Sequence, residues 1–248
     1  MNWLVAAGAA LSGYLLGSMS WSRIIARKVA PGKNIERIEY PVPGTGEVFT
    51  SESVSATAAR VHLGTKFGCL TALLDMAKVF FPSLAFRLVF PEWPYYIVCA
   101  AAGLVGHDWP LFFRFKGGRG ESPIIGGLLV IDPLGLVVTS AASILIGLIV
   151  GHLLILRWTW LVLLIPWLWV RTHSGMHVGY MVFVNVIYWW TMSPELLQYA
   201  RMEGNPSQEE IGEFFAMGAR LGRFMDNYSI LGLISRRKKR TGRPDLRS

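Results

Sequence analysis

Residues 134–155 read LGLVVTSAASILIGLIVGHLLI, and no Asp, Glu, Lys or Arg falls between Asp132 and Arg157. A helix needs about 20 mostly apolar residues to cross the roughly 30 Å core of a bilayer. This stretch has that length and carries nothing that a lipid core would reject. Working outward, apolar stretches recur at 3–25, 66–90, 95–113, 158–170 and 177–192. Only 16% of the 248 residues are charged and 52% are hydrophobic, whereas a soluble domain carries about 25% charge. Trp3, Trp21, Trp93, Trp109, Trp158 and Trp160 stand near the ends of these stretches, where an amphipathic ring prefers the headgroup level. One large soluble core is therefore excluded, and the chain reads as crossing a membrane several times.

A shorter apolar piece, 123–131, ends at Asp132-Pro133. At about 1.5 Å per residue it covers only about half of the bilayer core, so protein must shield its open end. The expectation is an all-α polytopic transmembrane helical bundle of about seven spans, one of them short or a half helix, with a C-terminal interfacial helical segment. Residues 1–192 would form the transmembrane unit, and 193–248 a polar helical segment with a basic tail. The first apolar stretch lacks a basic leader and a small-residue cleavage site, so it is read as a retained helix. Residues 30–57 read as a polar loop. Ser193-Pro194-Glu195 reads as a helix start, and Ser207 with Glu210 as a capping box that opens a helix over 208–224.

The net charge is +8, and the basic residues gather between apolar stretches and in 236–247. Arg27, Lys28, Lys33 and Arg37 follow the first stretch, and Arg114, Lys116 and Arg119 follow the third. The turn between the second and third carries Glu92 instead. By the positive-inside rule both basic loops and the tail face the cytoplasm and the N-terminus lies outside. A juxtamembrane basic tail near anionic lipid explains the terminal run without nucleic acid. Cys69 and Cys99 have neither metal-ligand nor disulfide spacing and are read as packing residues.

Three features can carry chemistry. Phe115-Lys116-Gly117-Gly118-Arg119-Gly120 joins cations to exposed backbone N–H groups just before an apolar helix, as a phosphate cradle would; a plain basic turn has the same composition. Asp75 and Lys78 share a helical face near mid-span, where ionisable groups turn to a polar interior; a self-neutralising structural pair fits equally. In Gly106-His107-Asp108-Trp109-Pro110 the histidine is a candidate base or phosphate ligand, or simply one satisfied by a neighbour. Ser51, Ser53, Ser55 and Thr57 add hydroxyls in the polar loop. G-x-S-x-G, H-E-x-x-H and P-loop patterns are absent from the sequence.

At these residues the chain resembles the acyl-phosphate-dependent glycerol-3-phosphate acyltransferases of bacterial membranes, the PlsY family. Gly106-His107 through Pro110 to Lys116–Gly120 looks like the family's Gly-His-x-x-Pro followed by Phe-Lys-Gly-Gly-Lys-Gly, with Arg119 in place of a lysine. Leu63-Gly64, Gly68, Asp75 and Lys78 repeat the family's spacing, and Gly17-Ser18 matches the small pair ending its first helix. The family's first motif falls on residues 50–58, where only Ser51, Ala56 and Thr57 survive, and its arginine falls on Val61 beside Arg60. The family's Val-Ala-Thr after the glycine loop is Glu121-Ser122-Pro123 here, and the third motif is not recognisable.

The resemblance implies transfer of a fatty acyl group from acyl phosphate to the sn-1 hydroxyl of glycerol 3-phosphate in the bacterial cell (inner) membrane, giving lysophosphatidic acid. It implies phosphate binding by Lys116, Arg119 and the N–H groups of Gly117, Gly118 and Gly120. Ser51 and Thr57 would hold substrate headgroups, with Asp75 and Lys78 in the same site, and His107 would position substrate or act as base. The partners implied are glycerol 3-phosphate, acyl phosphate and membrane lipid. No metal or organic cofactor and no nucleic acid is implied; the oligomeric state is open. The altered motifs keep two alternatives in view, a catalytically inactive paralogue that binds lipid or a lipid-synthesis partner, and a small membrane transporter.

Overall fold

The computed structural model describes residues 1–42, 48–202, 207–215, 217 and 219–228. The elements run α1 (Trp3–Gly17), α2 (Trp21–Val29), β1 (Ile38–Pro41), β2 (Val48–Ser51), α3 (Ala56–Leu63), α4 (Thr65–Val89), α5 (Tyr95–Asp108), α6 (Glu121–Ile131), α7 (Pro133–Val150), α8 (Leu153–Thr172), α9 (Gly175–Arg201), α10 (Gln208–Phe214) and α11 (Ala219–Tyr228). The basic tail at 236–247 lies outside the described residues. Among the described residues, five stretches are long and apolar enough to cross a membrane: Trp3–Val29, Thr65–Val89, Tyr95–Phe113, Pro133–Val150 and Leu153–Thr172. The 11-residue α6 and the 27-residue α9 are the other two on which the expected count of seven rests. The chain is a multi-pass helical membrane protein.

Glycines set the closest helix contacts. A Cβ on Gly13 would meet the carbonyl of Cys99, and one on Gly17 the carbonyl of Gly103, so α1 and α5 touch backbone to backbone. Gly126 of α6 lies in the same way against the Met76 carbonyl of α4. In lipid the apolar effect between helices is weak, and such close approach supplies the dispersion that holds them. These contacts draw α1, α4, α5 and α6 into one cluster, with α7, α8 and α9 continuing the bundle.

Several expected boundaries move, each for a local reason. The single helix over 3–25 is broken between Gly17 and Trp21, and the Met19 carbonyl freed there accepts a hydrogen bond from Lys78 Nζ at 2.8 Å. The helix over 95–113 stops at Asp108, before Pro110, and Leu111–Phe113 form one 3₁₀ turn. The break expected at 155–158 lies instead at Gly151, whose φ of +82° ends α7; a residue with a side chain adopts that conformation only at a cost.

Ser193-Pro194-Glu195 does not start a helix: α9 runs through it, so the expected 192/193 boundary falls inside a helix. Pro194 has no N–H for the Trp190 carbonyl, and Ser193 Oγ donates to that oxygen at 2.8 Å instead. The Ser207–Glu210 capping box is present, but the helix expected over 208–224 is interrupted. Phe214 and Phe215 are both buried, which adjacent residues of one helix achieve poorly, and the Phe215 carbonyl is taken by Arg157.

The loop expected at 30–57 contains a short antiparallel hairpin, with Ile38 opposite Ser51 and Tyr40 opposite Phe49. Phe49 is fully buried and stacks on Phe214, centroids 5.0 Å apart. The hairpin thus sits between the bundle and α10, and its last residue, Ser51, reaches the site described below.

Gly17→Leu should lower stability by at least about 2 kcal/mol, because the side chain must displace the α5 backbone. Gly8→Leu, one helix face away with nothing within 4 Å of its Cβ position, should stay within about 0.5 kcal/mol of the parent. Melting curves in detergent check both, and equal losses would disprove the close α1–α5 contact.

Candidate active site

The polar centre begins with a buried lysine. Lys78 Nζ of α4 lies 2.8 Å from Asp75 Oδ1, 2.8 Å from the Met19 carbonyl and 2.9 Å from His107 Nδ1 of α5. The Asp75 and Lys78 side chains are 2% and 3% exposed, so the pair expected to share a helical face does so inside the bundle. An ammonium has only donors, so His107 Nδ1 is the acceptor and its ring proton sits on Nε2. That assignment leaves His107 with an Nε2–H donor.

The glycine loop closes over that histidine. Gly118 N donates to the His107 carbonyl at 3.2 Å. A Cβ on Gly118 would strike His107 Nε2, and one on Gly117 the His107 carbonyl. The Gly117 carbonyl accepts from Val54 N at 3.0 Å, and the Lys116 carbonyl from Arg23 at 2.8 Å. The N–H of Gly118, expected to face phosphate, is therefore already engaged. These two glycines permit the loop to lie against α5. Gly120, at φ +79°, starts α6.

Two adjoining clefts meet here. The first is lined by Ser51, Ser53, Ser55, Thr57, Asp75, His107, Arg119, Gly120, Arg157, Tyr188 and Glu195, among others. Its wall includes the first residues of both α3 (Ala56, Thr57) and α6 (Glu121, Ser122), and helix N-termini present N–H groups and positive potential to anions. The second cleft is lined by Ser53, Asp108, Lys116, Gly117, Gly118, Arg119, Glu195 and Gln198, among others. Of the predicted site residues, Ser51, Thr57, Asp75, His107, Arg119 and Gly120 come together in the first. Lys116 is exposed and stands on the second, and Lys78 lies behind His107. Ser53 Oγ is buried without a hydrogen-bond partner among the described residues, and Ser53 lines both clefts.

Charges that the sequence reading did not single out complete the site. Arg119 pairs with Glu195 and donates to the Thr191 carbonyl, both on α9. Burial draws the Arg119 pKa down to about 10, which leaves it a cation at neutral pH. Glu195 also accepts from Ser51 Oγ at 2.8 Å. Arg157 of α8 pairs with Glu121 at the start of α6. Gln198, one turn after Glu195, accepts from Thr50 N at 3.1 Å and donates to the Val48 carbonyl at 2.9 Å, holding β2 to α9. The available signal was a lone charge in an apolar run: Arg157 is the one basic residue between Asp132 and Arg171.

Known proteins resemble this chain in sequence and in fold. Among curated proteins, a glycerol-3-phosphate acyltransferase of Mycoplasma capricolum is 36% identical over 137 residues, covering 52% of this chain and 48% of the relative. One of Shouchella clausii is 39% identical over 120 residues, covering 47% and 52%. The chain thus spans about half the length of the curated relatives it matches. Two crystal structures of PlsY, an integral membrane glycerol 3-phosphate acyltransferase, share the fold. The lysophosphatidic acid form has a TM-score of 0.63 at 22% identity, over 81% of this chain and 95% of that one. The glycerol 3-phosphate form has a TM-score of 0.64 at 24% identity, over 83% and 98%. The sequence model of the glycerol-3-phosphate acyltransferase family matches residues 7–201, and the chain belongs to that family.

Proposed function

We propose that this chain moves a fatty acyl group from acyl phosphate to the sn-1 hydroxyl of glycerol 3-phosphate, releasing lysophosphatidic acid and phosphate. The observation that carries the reading is the first cleft, where two helix N-termini, Ser51, Thr57, His107 and Arg119 face one space in a chain of this family. Both substrates carry phosphate, which matches donors and cations. The acyl chain stays in the bilayer while its head enters the cleft.

The step needs little covalent help. The acceptor oxygen attacks the acyl carbon, the bond from that carbon to the phosphate oxygen breaks, and the released phosphate takes the hydroxyl proton. The donor is already activated, so neither a covalent enzyme nucleophile nor a resident cofactor is called for. The protein's contribution is placement and charge stabilisation. Arg119 and the N-termini of α3 and α6 hold phosphate, Ser51 and Thr57 orient headgroups, and His107 Nε2–H donates to an oxygen that gains charge. Lys116 draws anions toward the outer cleft. Asp75 and Lys78 position His107. The glycines 117, 118 and 120 shape the loop.

The basic loops face the cytoplasm of a bacterial-type cell with the N-terminus outside, and the sequence beyond α9 adds a polar segment and basic tail to the transmembrane unit. A second reading, an inactive relative that binds lipid or a lipid-synthesis partner, is favoured by one observation: Arg119, Arg157 and Lys78 each already face a carboxylate.

One assay separates the two. Purified chain given acyl phosphate and glycerol 3-phosphate should form lysophosphatidic acid; no product from a chain that glycerol 3-phosphate still stabilises against heat would favour the inactive relative. Arg119→Ala should lose about 2–4 kcal/mol of transition-state stabilisation, and Arg119→Lys should keep much of the rate. Lys116→Ala should lose less, and its loss should shrink as salt rises. Equal rates for Arg119→Ala and the parent would remove Arg119 from the mechanism.

Gly118→Ala should lower kcat on the order of a hundredfold by pushing His107 aside, with the melting curve showing the protein still folded. An unchanged kcat would mean that His107 plays no part in the step.

Orientation is tested with a membrane-impermeant maleimide on intact cells, using a chain with Cys69 and Cys99 replaced by serine. Glu92→Cys should label from outside, and Arg114→Cys only after permeabilisation. The reverse pattern would invert the topology.

A further inference from the structure

Glu195 occupies the place where an anion is wanted. Its carboxylate accepts from Ser51 Oγ at 2.8 Å and pairs with the Arg119 guanidinium, two groups assigned above to phosphate. The residue is 4% exposed, yet Oε2 is buried with no hydrogen-bond partner among the described residues, and Glu195 lines both clefts. A carboxylate and a phosphate offer the same kind of acceptor oxygens, and both are favoured by a guanidinium and a hydroxyl donor. We propose that Glu195 is an internal stand-in for substrate phosphate, and that a phosphate-bearing ligand binds by displacing it from Ser51 and Arg119. The proposal rests on the phosphate-site reading above and adds the residue that sets its anion affinity.

The exchange is physically reasonable. A buried ion pair roughly breaks even against the cost of dehydrating its members, so Glu195 is not held by a large net energy. An incoming phosphate brings more acceptor oxygens and more charge, and it also meets the α3 and α6 N-termini. A weak monoanion brings less and competes poorly with a carboxylate already in place. The contact therefore raises the threshold for binding and selects for dianionic headgroups. The two departures beside the glycine loop fit this account, since Arg119 is matched by Glu195 and Glu121 by Arg157.

The test compares the parent 248-residue chain, Glu195→Gln and Glu195→Asp in detergent. Binding of inorganic phosphate and of glycerol 3-phosphate is read by titration calorimetry, and turnover is split into kcat and KM. Glu195→Gln removes the competing charge and should bind both anions more tightly, on the order of tenfold; Glu195→Asp, drawn back by one methylene, should gain less. KM for glycerol 3-phosphate should fall in parallel. Unchanged or weaker binding by folded variants that still turn over would overturn the stand-in while leaving the acyltransferase reading intact. A drop in kcat at constant affinity would make Glu195 a catalytic base and would also overturn it. Failure of both variants to fold would show a structural pair that no ligand displaces. If none of the three proteins binds either anion or turns over, the phosphate site itself is wrong.

Discussion

The Lys78 ammonium is the point on which the interior depends. It is buried among α4, α5 and the break between α1 and α2, and it reaches Asp75, His107 and the Met19 carbonyl. A charge in the middle of a bundle is tolerable only with such partners, and each partner fixes something else. The carbonyl comes from a non-helical turn that lipid would not accept unless protein covered it. The histidine is locked in one tautomer and one orientation. The glycine loop then lies across that histidine, so the site geometry is inherited from a cation that lies behind it.

Charge pairing recurs through the rest of the cleft. Arg119 with Glu195 ties the glycine loop to α9. Arg157 with Glu121, and with the Phe215 carbonyl, ties α8 to the start of α6 and to the end of α10. The cations Lys78, Arg119 and Arg157 are therefore each paired with a carboxylate of the same chain. Most of the net positive charge lies away from the cleft, in the 236–247 run and at positions such as Arg27 and Lys28 of α2 and Arg114 after α5.

Much of this was legible in the sequence where the signal is local. Charge-free runs announced the spans, and the 75/78 spacing announced a shared face. The Ser207–Glu210 spacing announced a cap. What failed was non-local. His107 meets Lys78 across 29 residues and Glu195 meets Arg119 across 76, distances over which no periodicity speaks. Pro194 read as a helix start because the rescue of the orphaned Trp190 carbonyl by Ser193 is a side-chain choice. The hairpin escaped notice because two four-residue strands in a Gly-, Pro- and Ser-rich loop leave almost no alternation to count. The glycine loop was recognised as special, yet two of its glycines serve contact with His107 and not exposure of N–H groups.

The Gln198 amide has a consequence beyond holding β2. It accepts from one strand N–H and donates to the carbonyl two residues earlier, as a single residue of a neighbouring strand would. A two-stranded hairpin is marginal alone, and its open edge invites pairing with another chain. Here one side chain of a helix behaves as a third strand one residue long. The edge is closed by a group that belongs to the same molecule, and the hairpin's register is set against a helix instead of against a sheet.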